Sequence, residues 1–553
     1  LWVNCNVIRR EAHCLNMTPL SNLIFRSVLI CTLLGCVSGQ NAVIWITETG
    51  SVRGEENYLL DDPRPIYAFK GIPYAYPPTG TMRFQPPRML PIWDGERSAL
   101  GYGDRCHQNR DYTNMSEDCL YLNIHTPTLD SSSRLAVMVN IHGGGLTAGS
   151  GNRNAIALTR MNDVVFVTMN YRLGPLGFFT TGDSNAPGNN GLLDQQMAIQ
   201  WVKQHIQRFG GDPDRITIMG GSGGGVSVST QILSPTNAGL FQRAICNSGV
   251  ATAVARVNTR DEEVEKSLVV AAALECVELD NAGLVECMQN LDPYSITDHG
   301  SGQTLYPYVD GTFLTHLPFN AYNTGNFNHV EYLLGFNRDE GAYFFDSNLP
   351  DENNIRELIT AYTERFYPEN SEAIVDAAMT VYVDYDNFAS TDDYERAYSN
   401  FIGDLRYIGP TNDVARKHSV YNSTYLFFFN HRPAYSMYPD WVSATHSDQR
   451  PFLMGFPFSD PLRGYGPEGT YLSEDMMKYY TNFAKNGNPN GEGLAHWPQV
   501  TCANKEYLQL VYGPRAGQNY EPERIRLWTD TVPSLDTYRS PSYVGFPWNC
   551  PSE

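Results

Sequence analysis

Positive charge is scarce in this 553-residue chain: 39 Lys and Arg stand against 60 Asp and Glu, a formal net charge of −21. A surface of that sign repels phosphate backbones, and no run of Lys or Arg supplies a local exception, so nucleic acid is excluded as a partner. Long apolar runs are scarce as well. Beyond residue 40 no stretch approaches the ~18 consecutive apolar residues of a membrane span, and the segment Gly545–Glu553 carries no lipid-anchor tail. Linkers, repeats and low-complexity segments are missing from residue 40 onward, which points to one domain over 40–553. With 42% hydrophobic residues that domain has ample material for a large core and is no disordered tether.

The N-terminal segment does contain a short apolar run. Met17 opens a stretch with a single positive charge, Arg26, followed by the apolar segment Ser27–Cys36 and the small residues Val37, Ser38 and Gly39. This is the pattern of a secretory signal peptide over 17–39, with 1–16 lying upstream of the mature protein. Cysteine usage fits an oxidising compartment. Four of the 11 Cys precede residue 40; among the others, the close pairs Cys106/Cys119 and Cys276/Cys287 read as two local disulfide loops. Cys502 with Cys550 is a third, weaker pairing, and Cys246, inside an apolar run, is the expected buried thiol. Asn114-Met-Ser and Asn422-Ser-Thr are glycosylation sequons. A secreted, extracellular protein is expected; nothing in the sequence bears on its oligomeric state.

Apolar runs alternate with helical patterns along the rest of the chain, the signature of an α/β fold whose mostly parallel sheet is covered on both faces. Leu135–Ile141 and Val164–Asn170 read as buried strands, Asp194–Phe209 as an amphipathic helix, Ile216–Met219 as a short strand and Val226–Leu233 as a helix. Residues 350–420 are rich in helical pattern and suit a lid or cap.

Between the last strand and helix lies Gly220-Gly-Ser222-Gly-Gly-Gly225. Strand, tight glycine turn with a central serine, then helix is the setting of a nucleophile elbow, in which the turn exposes the hydroxyl above the sheet. A glycine string also suits a phosphate cradle or a plain loop. A phosphate-binding P-loop needs Lys and then Ser or Thr after its last glycine, and Val226 stands there instead. Upstream, His142-Gly-Gly-Gly145 follows a strand, where flexible glycines can turn backbone N–H groups toward a reacting carbonyl. In the elbow fold the acid and then the histidine follow the serine. Leu333–Phe336 reads as a strand ending in Asn337-Arg-Asp-Glu-Gly341, and spacing leaves Asp339 and Glu340 as equal candidates for the acid. His446 lies in the loop Ser443–Asp448, which suits a general base; His418, His431 and His496 read as surface or core residues.

These residues, with Phe69-Lys-Gly-Ile-Pro-Tyr-Ala-Tyr-Pro-Pro78, Ser116-Glu-Asp-Cys-Leu-Tyr-Leu-Asn123, Asn170-Tyr-Arg-Leu-Gly-Pro-Leu-Gly-Phe178 and Gly335–Gly341, resemble the type-B carboxylesterases, the cholinesterase-like branch of the α/β-hydrolase fold. The resemblance covers nearly all of 40–553. It implies an α/β-hydrolase acting on a small-molecule ester with Ser222, Glu340 and His446 as its triad. It further implies Gly144, Gly145 and Gly223 as oxyanion donors, Ser248 as a serine bonding the acid, and neither metal nor organic cofactor. Two departures stand out. The family carries Glu or Gln before the serine and Ala after it, where this chain has Gly221 and Gly223. The segment between Cys106 and Cys119 has no Trp to stack on a choline. Neutral or apolar esters, not choline esters, are therefore the expected substrates, and Ala is expected to be tolerated at 223. The rival expectation is a non-catalytic adhesion or ligand-binding protein that reuses the fold, as neuroligin-like relatives do.

Overall fold

The computed structural model describes residues 41–45, 50–59, 62–90, 93–110, 113–345 and 349–535. The signal-peptide and upstream segments expected over 1–39, and Cys550, lie outside them. From Ala42 on, the described residues form one compact unit.

Seven strands form a parallel run at the centre of the sheet, in the order Val165–Met169, Leu135–Ile141, Gly211–Gly221, Arg243–Asn247, Glu331–Asn337, Thr424–Phe429 and Glu506–Leu510. Antiparallel strands extend both flanks, Tyr121–Thr126 beside Val165–Met169 and Arg515–Gln518 beside Glu506–Leu510. The central strands read as near-continuous apolar runs because each is buried on both faces. Alternate residues then feed two cores: Val137, Val139, Ile218, Ala244 and Leu334 on one side, Met138, Met219, Ile245, Leu333 and Phe427 on the other.

Two helices begin earlier than the apolar periodicity indicates. The first runs Asn190–His205 and ends in a tight turn over Ile206–Phe209; the second runs Gly223–Leu233. Glycine has low intrinsic helix propensity, so Gly223, Gly224 and Gly225 read as loop, and only tertiary packing draws them into the first turn. The strand read as Ile216–Met219 likewise extends to Gly211–Gly221, with an irregularity in register between Gly211 and Ile216. The 350–420 region is helical as expected, with helices Ile355–Glu364, Ser371–Tyr382, Thr391–Gly403 and Gly409–His418. A single wide, π-helical turn, Asp404–Ile408, joins the last two. These helices carry their own apolar cluster around Ile359, Phe401 and Trp528.

Cys106 is bonded to Cys119 and Cys276 to Cys287, with Cα atoms 5.0 and 5.9 Å apart. Cys502 is also disulfide-bonded. Cys246 is a free, buried thiol: its Sγ donates to Gly225 O, accepts from Tyr332 OH, and burial pushes its pKa up to about 12.

Candidate active site

The parallel run brings together the C-terminal ends of Gly211–Gly221, Arg243–Asn247 and Glu331–Asn337, and ligand sites of open α/β sheets form at such ends. Ser222 follows the first of them with φ 56° and ψ −126°, a left-handed backbone that a side-chain-bearing residue adopts only when its surroundings enforce it. Its N–H donates to Asn247 O at 2.8 Å, and its carbonyl accepts from Val226 N at 3.0 Å, opening the helix. Asn247 is itself held by Tyr480 OH at 2.7 Å.

Asp339 and Glu340, which spacing leaves undecided, have separate partners. Glu340 is fully buried; its Oε2 lies 2.5 Å from His446 Nδ1 and its Oε1 accepts from Asn337 N at 2.7 Å. Asp339 Oδ2 instead accepts the amide protons of Ser443 and Ala444, at 2.6 and 3.3 Å, pinning the loop that carries His446. Asn337 Nδ2 donates to Thr445 O and to Gln449 Oε1, a third tie to that loop. Asp448 Oδ2 accepts from Thr445 N; burial, with the Glu340 charge adding to it, pushes the Asp448 pKa up to about 6. The far ring nitrogen of His446, Nε2, is buried and makes no hydrogen bond, and His446 and Ser222 line the same cavity of about 460 Å³. In serine hydrolases the base–nucleophile contact commonly tightens only when substrate is bound.

His142-Gly-Gly-Gly145 folds over the start of the Gly223–Leu233 helix. His142 is buried and stacked on Tyr171 at 4.4 Å, Tyr171 OH donates to His142 O, and burial lowers the His142 pKa to about 3, so the ring is neutral. The carbonyl of Gly144 accepts from Thr147 N and Ala148 N at 3.1 and 3.0 Å. A trans peptide sets N–H opposite C=O, so the Gly145 N–H faces away from those two amides, toward Gly223. The approach is close. A Cβ placed on Gly223 would lie 2.8 Å from Gly145 N, so the sequence expectation that Ala is tolerated there is corrected by direct backbone contact. At Gly221 a Cβ would meet only Asn247, at 3.5 Å or more.

Ser248 is a second correction. Its Oγ is buried without a hydrogen-bond partner, so it does not bond the acid; Asn337 N–H occupies the Glu340 oxygen that His446 leaves open. Ser248 has φ 54° and its N–H continues the sheet to Gly335 O. Of the two sequons, Asn114 is exposed, while Asn422 is half-buried with its Nδ2 donating to His329 O at 2.8 Å. Among the described residues no helix is long and apolar enough to cross a membrane.

A serine in a left-handed turn between a central parallel strand and a helix, with a histidine-bonded acid two strand ends away, defines an α/β-hydrolase. The chain belongs to the Carboxylesterase family, whose profile matches residues 41–528. It is 36% identical to pyrethroid hydrolase Ces2e of Rattus norvegicus over 535 residues, covering 91% of this chain and 92% of that one. It is also 36% identical to an acylcarnitine hydrolase of Mus musculus (88% and 91% covered) and to a cocaine esterase of Oryctolagus cuniculus (88% and 95% covered). The protein is a carboxylic ester hydrolase.

Proposed function

We propose that the protein is a secreted serine esterase that works through an acyl-enzyme on Ser222. His446 Nε2 takes the Ser222 proton as Oγ bonds to the ester carbon; the imidazolium then gives that proton to the departing alkoxide as the ester C–O bond breaks. Water, deprotonated by the same nitrogen, releases the acid and restores Ser222. Glu340 fixes the tautomer with Nδ1 protonated and stabilises the cationic ring. The N–H groups of Gly144, Gly145 and Gly223 receive the tetrahedral oxyanion. The observation that carries this reading is the 2.5 Å Glu340–His446 contact on a ring whose other nitrogen is unpartnered beside the Ser222 cavity.

The ester is in large part apolar in this proposal, since Met219, Val226, Leu453, Met454 and Phe456 line the cavity. Secretion is supported by the Met17–Gly39 segment and the disulfides, and glycosylation by the exposed Asn114 sequon. A fluorophosphonate tests the central point: intact protein should be labelled at Ser222 and Ser222→Ala should not. Labelling that persists in the variant, or none in the parent, would return the adhesion or ligand-binding reading to first place.

A further inference from the structure

The cavity holding Ser222 is charged against the character of the whole protein. In a chain of net charge −21, five arginines line it (Arg110, Arg153, Arg256, Arg406 and Arg450), and among the described residues no Asp or Glu does. Elsewhere Arg83 pairs with Glu117, Arg172 with Asp194 and Arg524 with Asp404. Arg256 and Arg406 are half-buried, yet neither forms an ion pair among the described residues. Arg256 Nη1 donates to Tyr306 OH at 2.8 Å, with the guanidinium 5.3 Å from that ring. Arg406 Nη1 donates to Tyr362 OH at 3.0 Å, with the guanidinium 4.2 Å from the Phe344 ring; its Nε is buried and unpartnered. Neutral phenols and ring faces thus stand where carboxylates stand beside Arg83, Arg172 and Arg524.

Removing a cation from water without an anion is costly, and a planar guanidinium fork matches a carboxylate or phosphate in two parallel hydrogen bonds. Both arginines also flank the chemistry. They act electrostatically on Tyr407, whose ring centre is 4.5 Å from that of His446, and the Phe344 ring beneath Arg406 is 5.6 Å from His446. Arg110 and Arg450 line the same cavity, and a cleft lined by charge of one sign concentrates anions.

We propose that the ester cleaved at Ser222 carries an anionic group, received by Arg256 and Arg406 in the cavity that Ser222 and His446 line. This deepens the esterase reading and rests on it; the neutral or apolar ester expected from sequence gives way to an ester with an anionic arm. The anion is defined by its chemistry, an oxyanion with two acceptor oxygens in a plane, which carboxylate and phosphate share.

The test compares kcat/KM of the full chain for matched esters. One pair is 4-acetoxybenzoate and its methyl ester, with the charge on the alcohol side; another is phenyl hemisuccinate and its methyl ester, with the charge on the acyl side. A third arm, 4-acetoxyphenyl phosphate, separates phosphate from carboxylate. The anionic member should be favoured by about tenfold or more in at least one arm, the worth of one charge-assisted hydrogen bond. Arg256→Gln and Arg406→Gln should each lower kcat/KM for that member at least about tenfold more than for its neutral partner. Raising salt should erode the preference in the parent protein, which keeps the proposal testable if either variant fails to fold. Equal or better turnover of the neutral esters in every arm, or equal losses for both members in the variants, overturns it. Failure of the esterase reading looks different: no fluorophosphonate labelling and no turnover of any ester.

Discussion

Asp339 and Glu340, neighbours in sequence, grip the same loop at two points: Asp339 Oδ2 takes the amide protons of Ser443 and Ala444, and Glu340 Oε2 takes the Nδ1 proton of His446 at 2.5 Å. One carboxylate places the backbone and the other orients the ring. Glu340→Gln should therefore lower kcat by ~10³–10⁴ with the fold intact, because an amide neither balances the imidazolium nor fixes its tautomer. Asp339→Asn keeps an acceptor and should lower kcat by less than about tenfold while reducing stability by about 1–2 kcal/mol. Steady-state kinetics beside thermal melts of the two variants separate these outcomes; equal losses of kcat would refute the division of roles.

The double variant Ser222→Ala/His446→Ala should hydrolyse a phenyl ester no more slowly than the worse of the two single variants. The pair moves one proton between them, so the second removal takes away nothing further. Rates falling by the product of the single losses would show that the residues act independently.

The contact between the two glycine segments yields a sharp contrast. Gly223→Ala sets a methyl 2.8 Å from Gly145 N and should cost about tenfold or more in kcat by pushing away one of the proposed oxyanion donors. At Gly221 the same methyl has room, and Gly221→Ala should change kcat by less than about threefold. A Gly223→Ala enzyme with full kcat would mean the oxyanion loop adapts without loss.

Glu263, bonded to the backbone of the cavity residue Tyr306, gives the protein a pH-dependent stability term. It is buried, accepts from Tyr306 N and Asn258 Nδ2, and burial raises its pKa from 4.5 to about 7. The folded value exceeds the unfolded one, so this contribution is complete below about pH 4.5 and is lost as pH rises through about 7, by up to about 3 kcal/mol. Glu263→Gln should flatten that loss, melting above the parent at pH 8 but not at pH 4.5. Parallel melting curves of parent and variant across that range would contradict the assignment.

Much of this site is written locally in the chain. The strand leading into Gly220–Gly225, the histidine before its three glycines and the acidic pair after Leu333–Phe336 each carry their signal within a few residues, because a strand followed by a tight turn is a local event. Asp339 and Glu340 could not be told apart by spacing, since the choice depends on which side chain meets a loop about a hundred residues later. Family resemblance pointed to Glu340, which meets His446, and to Ser248 as a partner of the acid, but the Ser248 Oγ is buried without one. The Gly223–Gly145 approach was hidden because it is a distance between two backbones, with no side chain to announce it. The arginines of the cavity were invisible for a related reason: they run from Arg110 to Arg450 in the chain, and each alone reads as ordinary surface charge.

Cys246 makes the nucleophile helix self-reporting. Its sulfur sits on the strand beside Gly220 and donates to Gly225 O, so the first turn of that helix closes over it. A thiol with a pKa near 12 is almost wholly protonated at neutral pH, and a protonated, buried sulfur does not react with an alkylating agent. Modification of Cys246 therefore waits for the helix to lift from the sheet, and the pace of its alkylation, followed on the Cys246 peptide by mass spectrometry, is a clock for how often the catalytic turn opens.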